Sequence, residues 1–367
     1  MQSILKDIFK SKEFERKFSR ASLENQIILT TRARIARNIS GISFSSTNTG
    51  EEKKMILEIV KDSFFEKTNT KSKYIFYMIS KLSKTQRSYL VEKHILSPEM
   101  LLKLQSKALI LKYNPQNYNS SVSVLINEED HLRIQSVLPG LNVQNTYEEI
   151  HKIEKILEKK INFSYDRDFG YLTSCPTNLG TALRLSIICH LPAIVVSGKI
   201  EEFVKNLAKI GCNIRGFFGE NSDVVGNLFQ VSNQISLGKY EDQVLEEMDA
   251  VCHNIIDEEK AARDELKVSR PIGVEDSVLR SYGMLKYAKM LTYGEALELL
   301  SMIKLGLDTE MIKGVKHFNF YELISLIGES NIVLNSFDEL KMDSDEVDKV
   351  RADIVRKKIL KGTDKNV

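Results

Sequence analysis

Apolar residues recur along this chain with two different periods, and the place where the period changes divides it. In residues 1–20, Ile4, Leu5, Ile8 and Phe9 stand at helical spacing and Phe14 and Phe18 are four apart, which predicts a short amphipathic helix. "NQIILTTRARIARN" reads as a strand running into a turn, and residues 51–67 and 84–109 read as helices. In "SSVSVLINEEDHLRIQSVL", Val122, Val124 and Ile126 alternate with Ser123 and Leu125, and Leu132 and Ile134 resume after an acidic interruption, the pattern of a strand pair. Residues 146–160 read as a helix, Asn178 to His190 as a second, apolar helix, and "HLPAIVVSG" as a strand. "FGENSDVVGNLFQVSNQISLG" mixes turn residues with short strands, and residues 240–267 predict a long charged helix.

Around "KVSRPIGVED" (267–276) the strands stop. From Ser277 onward "DSVLRSYGMLKYAKML", "TYGEALELLSMIKLGL", "FNFYELISLIGE" and "DEVDKVRADIVRKKILKG" all read as helices. The expected division is a mixed domain over residues 1–266 and a helical one over 267–367, with no internal repeat. Two domains also suit the length, since 367 residues exceed what one core usually spans. Apolar residues at 42% and charged residues at 28% describe an ordinary soluble protein, and a net charge of +2 gives no general pull toward nucleic acid or membrane. Cysteines 175, 189, 212 and 252 lie too far apart for a zinc knuckle or a disulfide framework, which suits a reducing cytoplasm. Charges break up the first 20 residues, and "LSIICHLPAIVV" is too short to span a bilayer. A cytoplasmic protein without membrane or direct nucleic-acid contact is expected.

The usual glycine-rich phosphate loops are absent, and arginines stand beside strands and turns instead. In "TTRAR", Arg32 and Arg34 share one face of a strand, a paired fork that suits phosphate oxygens or, more plainly, two solvated arginines. In "NEEDHLR" an extended chain would put Glu129, His131 and Arg133 on one face and Glu128 and Asp130 on the other. Three consecutive carboxylates in a β pattern need compensation, such as a cation, a metal or a bound guanidinium, or else they form a charged hairpin tip. "GCNIRGFFGENSD" adds Arg215, Glu220 and two glycines that allow close approach of a ligand. Cys175, in "TSCPTNLGT", precedes the helix expected from Asn178, whose N-terminus would lower its thiol pKa; the alternatives are a packed small hydrophobe or a nucleophile paired with a histidine.

Together these segments resemble the phosphagen (guanidino) kinase family: "TTRAR" its phosphate strand, "NEEDHLR" its acidic signature, "CPTNLGT" its active-site cysteine motif and "RGFFGE" its last nucleotide and substrate loop. The short stretch of 29 residues before Thr30, the helical C-terminal region, "VEKHILSP" and "NLFQVSNQISLG" resemble its bacterial protein-arginine kinase branch. The resemblance implies an α+β fold: a largely antiparallel, glutamine-synthetase-like sheet flanked by helices, then an all-helical domain for dimerisation and phosphoarginine recognition. It implies transfer of phosphate from ATP, with Mg²⁺ held through the nucleotide and no metal site of the protein's own. Glu129 and Glu220 would bind the acceptor guanidinium and take its proton, with the Cys175 thiolate aligning it. The nucleotide would lie on Thr30, Thr31, Arg32, Ala33, Arg34, His94, Arg133, Arg184, Leu185, Ser186, Ile187, Ile188, Arg215, Gly216, Phe217, Phe218, Gly219 and Glu220.

Implied partners are proteins with exposed arginines, marked for Clp degradation under stress, together with a zinc-binding activator protein, a Clp ATPase, a heat-shock repressor and a second copy of the chain. The other readings are a kinase for free arginine or another small guanidino compound, and a phosphoarginine-binding adaptor without catalysis. Two departures stand out. The family's "GTGLR" is "GTALR" here, and an alanine at 182 inside the expected helix should only stiffen it. A C-terminal phosphoarginine-binding motif keeps Asp348, Arg351 and Ala352 but has Val347 in place of an arginine, which removes a contact of about 1.5–3 kcal/mol.

Overall fold

A computed structural model describes residues 24–65, 74–112, 122–217, 224–313, 315–336 and 342–360; the helix expected within residues 1–20 lies outside them. After a short turn of helix, α1 (Glu24–Ile27), the elements are β1 (Ile28–Arg37), α2 (Gly50–Phe65), β2 (Tyr74–Met78), α3 (Lys84–Glu92), β3 (Ala108–Lys112), β4 (Val122–Ile126), β5 (Leu132–Pro139) and α4 (Val143–Glu158). A small hairpin of β6 (Tyr165–Asp166) and β7 (Gly170–Tyr171) leads to β8 (Leu183–His190), α5 (Pro192–Val196), α6 (Ile200–Lys209), β9 (Cys212–Gly216) and β10 (Leu228–Asn233). The rest is helical: α7 (Glu241–Ser269), α8 (Pro271–Tyr287), α9 (Tyr293–Asp308), α10 (Phe320–Leu326), α11 (Glu329–Asn335) and α12 (Ser344–Ile359). This is the α+β arrangement expected; after β10 the elements among the described residues are helices, with one isolated bridge between Val315 and Leu360.

The chain forms two compact units. One holds the described residues of Thr31–Ser186 and Ser232–Ala250; the other holds residues 24–30 and the described residues of Ile187–Val231 and Val251–Val367. In the first unit the strands follow the order β2, β3, β4, β5, β1, β8, β10. From β2 to β5 each pairs antiparallel with the next, Val124 opposite Ile134 and Leu125 opposite Arg133. Helix α4 lies on β5 and against α2. Beneath it Arg37, at the end of β1, is buried against Glu154 of α4 at 2.6 Å, donates to the carbonyls of Ala36 and Thr181, and lies flat on the Tyr171 ring at 3.4 Å. That one guanidinium joins a strand, a helix and a hairpin.

The second unit contains the remaining halves of β8 and β10, with β9 beside β10. Its helical core is centred on α9, from which Leu297, Leu300 and Ile303 are fully buried. A buried polar chain runs through it: Glu259 pairs with Arg263 at 2.8 Å, Arg263 reaches Asp308 at 3.1 Å, and Asp308 also holds Lys304. The His190 ring bonds Ser301 Oγ at 2.7 Å.

Three expectations are corrected. The helix read over 84–109 stops at Glu92, and β3 begins at Ala108. Asn178 to His190 is not a helix but a three-residue turn followed by β8; both faces of that strand are covered, so its run of apolar residues has no strand alternation to show. "HLPAIVVSG" is helix α5 rather than a strand, because Glu259 accepts hydrogen bonds from the Ala193 and Ile194 amides, both at 3.1 Å, and so satisfies the open first turn. Ala182 consequently lies in no helix. It is buried just before β8 with φ +51°, a conformation that costs a residue bearing a Cβ about 1–2 kcal/mol. Ala182→Gly should therefore raise stability in urea unfolding by about 0.5–1 kcal/mol after the extra chain entropy of glycine is offset; an equal loss would show that the left-handed backbone carries no strain.

Candidate active site

The burial alternation along β1 sets the site. Thr31, Ala33 and Ile35 point into the core, and Arg32 and Arg34 emerge half-buried on the opposite face. On neighbouring β8, Leu185 and Ile187 are buried and Arg184 is half-exposed, while Ser186 accepts a bond from Arg32 Nε at 3.1 Å. Arg184 in turn donates to Ser232 Oγ of β10 at 3.1 Å. β5 contributes Arg133 from the other side of β1. Burial, and then the charges of Arg32, Arg133 and Arg184, push the Arg34 pKa well below the usual arginine value, with Glu128 as an opposing influence. Arginine keeps its proton in proteins, so Arg34 is a buried cation beside three others, a setting that favours an anion. His94, in a positive-φ turn after α3, is drawn into the same field: burial, Arg32, Arg34 and Lys93 lower its pKa to about 3.

The acidic segment is a tight turn, not an extended strand, and its three carboxylates divide their work. Asn127 adopts φ +60° and its N–H bonds the His131 carbonyl at 2.9 Å, closing the hairpin. Glu128, 2% exposed, takes Arg133 at 2.5 Å and the Ser97 hydroxyl at 2.5 Å. The compensating cation is thus a guanidinium of the same chain. Glu129 alone faces outward, 43% exposed, with Arg133 at 3.7 Å. Partial burial raises its pKa; Asp130 and Glu128 add to the rise, and Arg133 and Arg34 oppose it. Asp130 is buried and accepts from Asn38 Nδ2 and from the Ser174 amide, both at 2.7 Å. His131 accepts the Ile39 amide on Nδ1 at 2.9 Å, so its proton is on Nε2, donated to the Ser43 carbonyl at 2.7 Å.

The bond from Ser174 to Asp130 fixes Cys175 to this turn, since Glu129 and Cys175 are each one residue away from it. No α-helix starts here; Cys175 precedes the three-residue turn Pro176–Asn178, so the expected helix-terminus field on the thiol is absent. The thiol is partly exposed and lies 3.0 Å from Thr177 Oγ1. Gly180 closes the loop at φ +99°, where a Cβ would stand 2.4 Å from the Ser236 carbonyl oxygen, so only glycine fits. Its amide bonds the Phe169 carbonyl of the β6–β7 hairpin at 2.9 Å.

The structure therefore brings Arg32, Arg34, His94, Arg133, Arg184 and Ser186 into one cluster, with Glu129 and Cys175 held together beside Arg133 through Asp130. Thr31 uses its hydroxyl to bind the Gly140 carbonyl at 2.7 Å, and Thr30, Ala33, Leu185, Ile187 and Ile188 are buried, leaving only their main chain for any ligand. Arg215 is half-buried on β9, with Gly216 and Phe217 buried after it. Phe218, Gly219 and Glu220 lie outside the described residues. In α12, Arg351 is buried, donates to the Ile327 and Leu291 carbonyls at 2.8 Å and pairs with Asp348; Ala352 and Val347 are buried beside it. From the sequence, Glu128 and Asp130 are named without a role, and Asn38 and Ser174 are not singled out. The signal for them was the unexplained cost of three adjacent carboxylates. Among the described residues no group of three or more His, Cys, Asp or Glu is arranged to hold a metal ion.

Comparison with known proteins shows the family of the chain. The family described as ATP:guanido phosphotransferase, C-terminal catalytic domain, matches residues 55–262, and the one described as protein-arginine kinase McsB C-terminal domain matches residues 271–367. A protein-arginine kinase of Bacillus cereus (strain AH187) is 35% identical over 337 residues, 92% of this chain and 93% of its own length. One of Caldanaerobacter subterraneus subsp. tengcongensis is 36% identical over 285 residues, covering 77% and 83%. The crystal structure of lombricine kinase shares the fold with a TM-score of 0.58 at 22% identity, over 68% of this chain and 71% of that one. The duplicated taurocyamine kinase of Schistosoma mansoni gives 0.59 at 20% identity, over 79% of this chain and 47% of its own. The resemblance drawn from the motifs is borne out.

The His94 environment has a pH consequence with a definite sign. An unfolded histidine takes up a proton near pH 6.5, whereas the folded one holds out to about 3, so its contribution to stability is complete above pH 6.5 and is lost as pH falls toward 3. In urea unfolding, the stability of wild type relative to His94→Asn should fall steadily from pH 6.5 to pH 4. A gap that stays constant would mean that His94 is already protonated when folded.

Proposed function

The chain belongs to the ATP:guanido phosphotransferase family, in its protein-arginine kinase branch, and on that premise we propose the reaction that its candidate active site carries out. It is a phosphotransferase acting on arginine side chains of proteins. The observation that supports the detailed reading is the Asp130–Ser174 bond, which ties the loop bearing a partly exposed thiol to the turn bearing an exposed carboxylate, next to the guanidinium cluster.

Arg32, Arg34, Arg133 and Arg184 fit a polyphosphate: their charges are crowded and only partly matched by Glu128, and His94, kept neutral in the same field, adds no further charge. They would bind the phosphates of ATP, and Mg²⁺ brought with the nucleotide would neutralise part of the phosphate charge; Arg215 is given the same task by family likeness alone. The acceptor guanidinium is a weak nucleophile while protonated. Glu129, whose pKa is raised, accepts hydrogen bonds from its fork and takes the proton as the N–P bond forms and the bond from the terminal phosphorus to its bridging oxygen breaks. By family likeness Glu220 shares the task of Glu129, and Cys175, as thiolate, aligns the fork without a covalent intermediate. Protein acceptors in the cytoplasm, marking of stress-damaged proteins for Clp degradation, control of a heat-shock repressor and a zinc-binding activator follow by family likeness. So does a homodimer, which we assign to α8: Ile272, at 80% exposure, and exposed Leu279 and Tyr287 lie opposite that helix's buried Val274, Val278 and Leu285.

Incubated with γ-labelled MgATP, the protein should label an unfolded, arginine-bearing protein in an acid-labile form, and not the same protein with every arginine changed to lysine. Label on free arginine alone would sink this reading in favour of a small-guanidino kinase. Cys175→Ala should lower kcat by about 10²-fold with nucleotide binding essentially intact; unchanged turnover would make Cys175 a packing residue. In sedimentation equilibrium, Leu279→Glu combined with Tyr287→Glu should convert a dimer to a monomer; an unchanged mass would move the dimer contact elsewhere.

A further inference from the structure

A groove of about 510 Å³ runs between α6 and α7 in the second unit, and the reaction does not use it. Its floor is apolar: Phe203 and Leu207 from α6 and Ala262 from α7 are buried there. Ile210, 58% exposed, stands at the mouth, and Ala261 leaves the α7 wall low where a larger side chain would close it. Asn254, Glu258, Ala261 or Ala262, and Glu265 recur at helical spacing, so one stripe of α7 forms the wall. From Asn254 to Glu265 that wall is about 16 Å long, room for about five residues of extended chain.

The rim is acidic. Lys199 pairs with Glu265, while Glu202 and Glu258 have no ion-pair partner among the described residues. An apolar floor between uncompensated carboxylates selects a segment carrying both cations and aliphatic side chains, and it repels acidic segments. We propose that this groove is a second docking site for the polypeptide substrate, taking a short basic, leucine-bearing stretch apart from the arginine that is phosphorylated. The proposal rests on the reading that the acceptor is a polypeptide. A second contact raises the effective concentration of the acceptor, so it lowers KM for long unfolded substrates and leaves short ones unaffected.

The test uses the full chain and a fluorescein-labelled peptide of alternating lysine and leucine with no arginine, so that binding is read by anisotropy without turnover. The wild type should bind it, weakening as salt is raised, and an alternating glutamate and leucine peptide should not bind. Ala261→Trp, at an exposed position, and the pair Glu202→Lys with Glu258→Lys should each weaken binding at least tenfold. Both variants should raise KM for a long unfolded protein by a similar factor, with kcat and KM on a five-residue arginine peptide unchanged. Equal peptide binding by wild type and variants would overturn the proposal even with kinase activity intact. Equal binding of the acidic peptide would also overturn it, as would a shift from dimer to monomer in Ala261→Trp, which would make the groove a contact between copies. If no polypeptide is phosphorylated, the functional reading fails, and the anisotropy still reports on the groove.

Discussion

Mutual repulsion among Arg32, Arg34, Arg133 and Arg184 is the constraint around which the first unit is built. Like charges brought onto three adjacent strands oppose folding, and they stay together because each is fixed by something else. β1 alternation turns Arg32 and Arg34 outward, Glu128 holds Arg133, and Ser186 and Ser232 hold Arg32 and Arg184. The ordering is done during folding and need not be repeated when an anion arrives, which is how a phosphoryl-transfer site supplies most of its effect. Buried Arg37, paired with Glu154 and stacked on Tyr171, supports the same strand from the other end. Two arginines five residues apart on β1 therefore have opposite tasks.

The acidic turn solves a related problem with opposite charge. Three adjacent carboxylates are tolerable because Glu128 is neutralised, Asp130 is hydrogen-bonded and only Glu129 is left to solvent. Asp130 has the largest structural reach: through Asn38 it meets the end of β1, and through the Ser174 amide it holds the cysteine loop. The proposed placing of a carboxylate and a thiol on one guanidinium depends on this scaffold of amides and one buried acid.

Much of this was legible in the sequence, and the failures have identifiable causes. Period-two alternation revealed β1 and the β4–β5 hairpin, and the long charged helix α7 was found within two residues at each end. β8 was misread because both its faces are buried, and α5 because the group that caps it, Glu259, lies 66 residues further on. The Ala182 reading failed with the helix it assumed. Motif letters pointed to Glu129, Cys175 and the arginines as candidates, but not to whether a side chain is offered to a ligand. Arg351, read as a regulatory phosphoarginine contact, has its guanidinium inside the helical core on two main-chain carbonyls and Asp348.

The chemical claim at the centre of this account is that the phosphoryl group goes to nitrogen. Phosphorus-31 NMR of an unfolded arginine-bearing protein, incubated at mildly alkaline pH with MgATP and this chain, reads that bond directly. The account predicts a protein-bound phosphoramidate resonance that vanishes on acidification and is missing with Glu129→Gln. A resonance that survives acid as a phosphate ester on serine, threonine or tyrosine would contradict it.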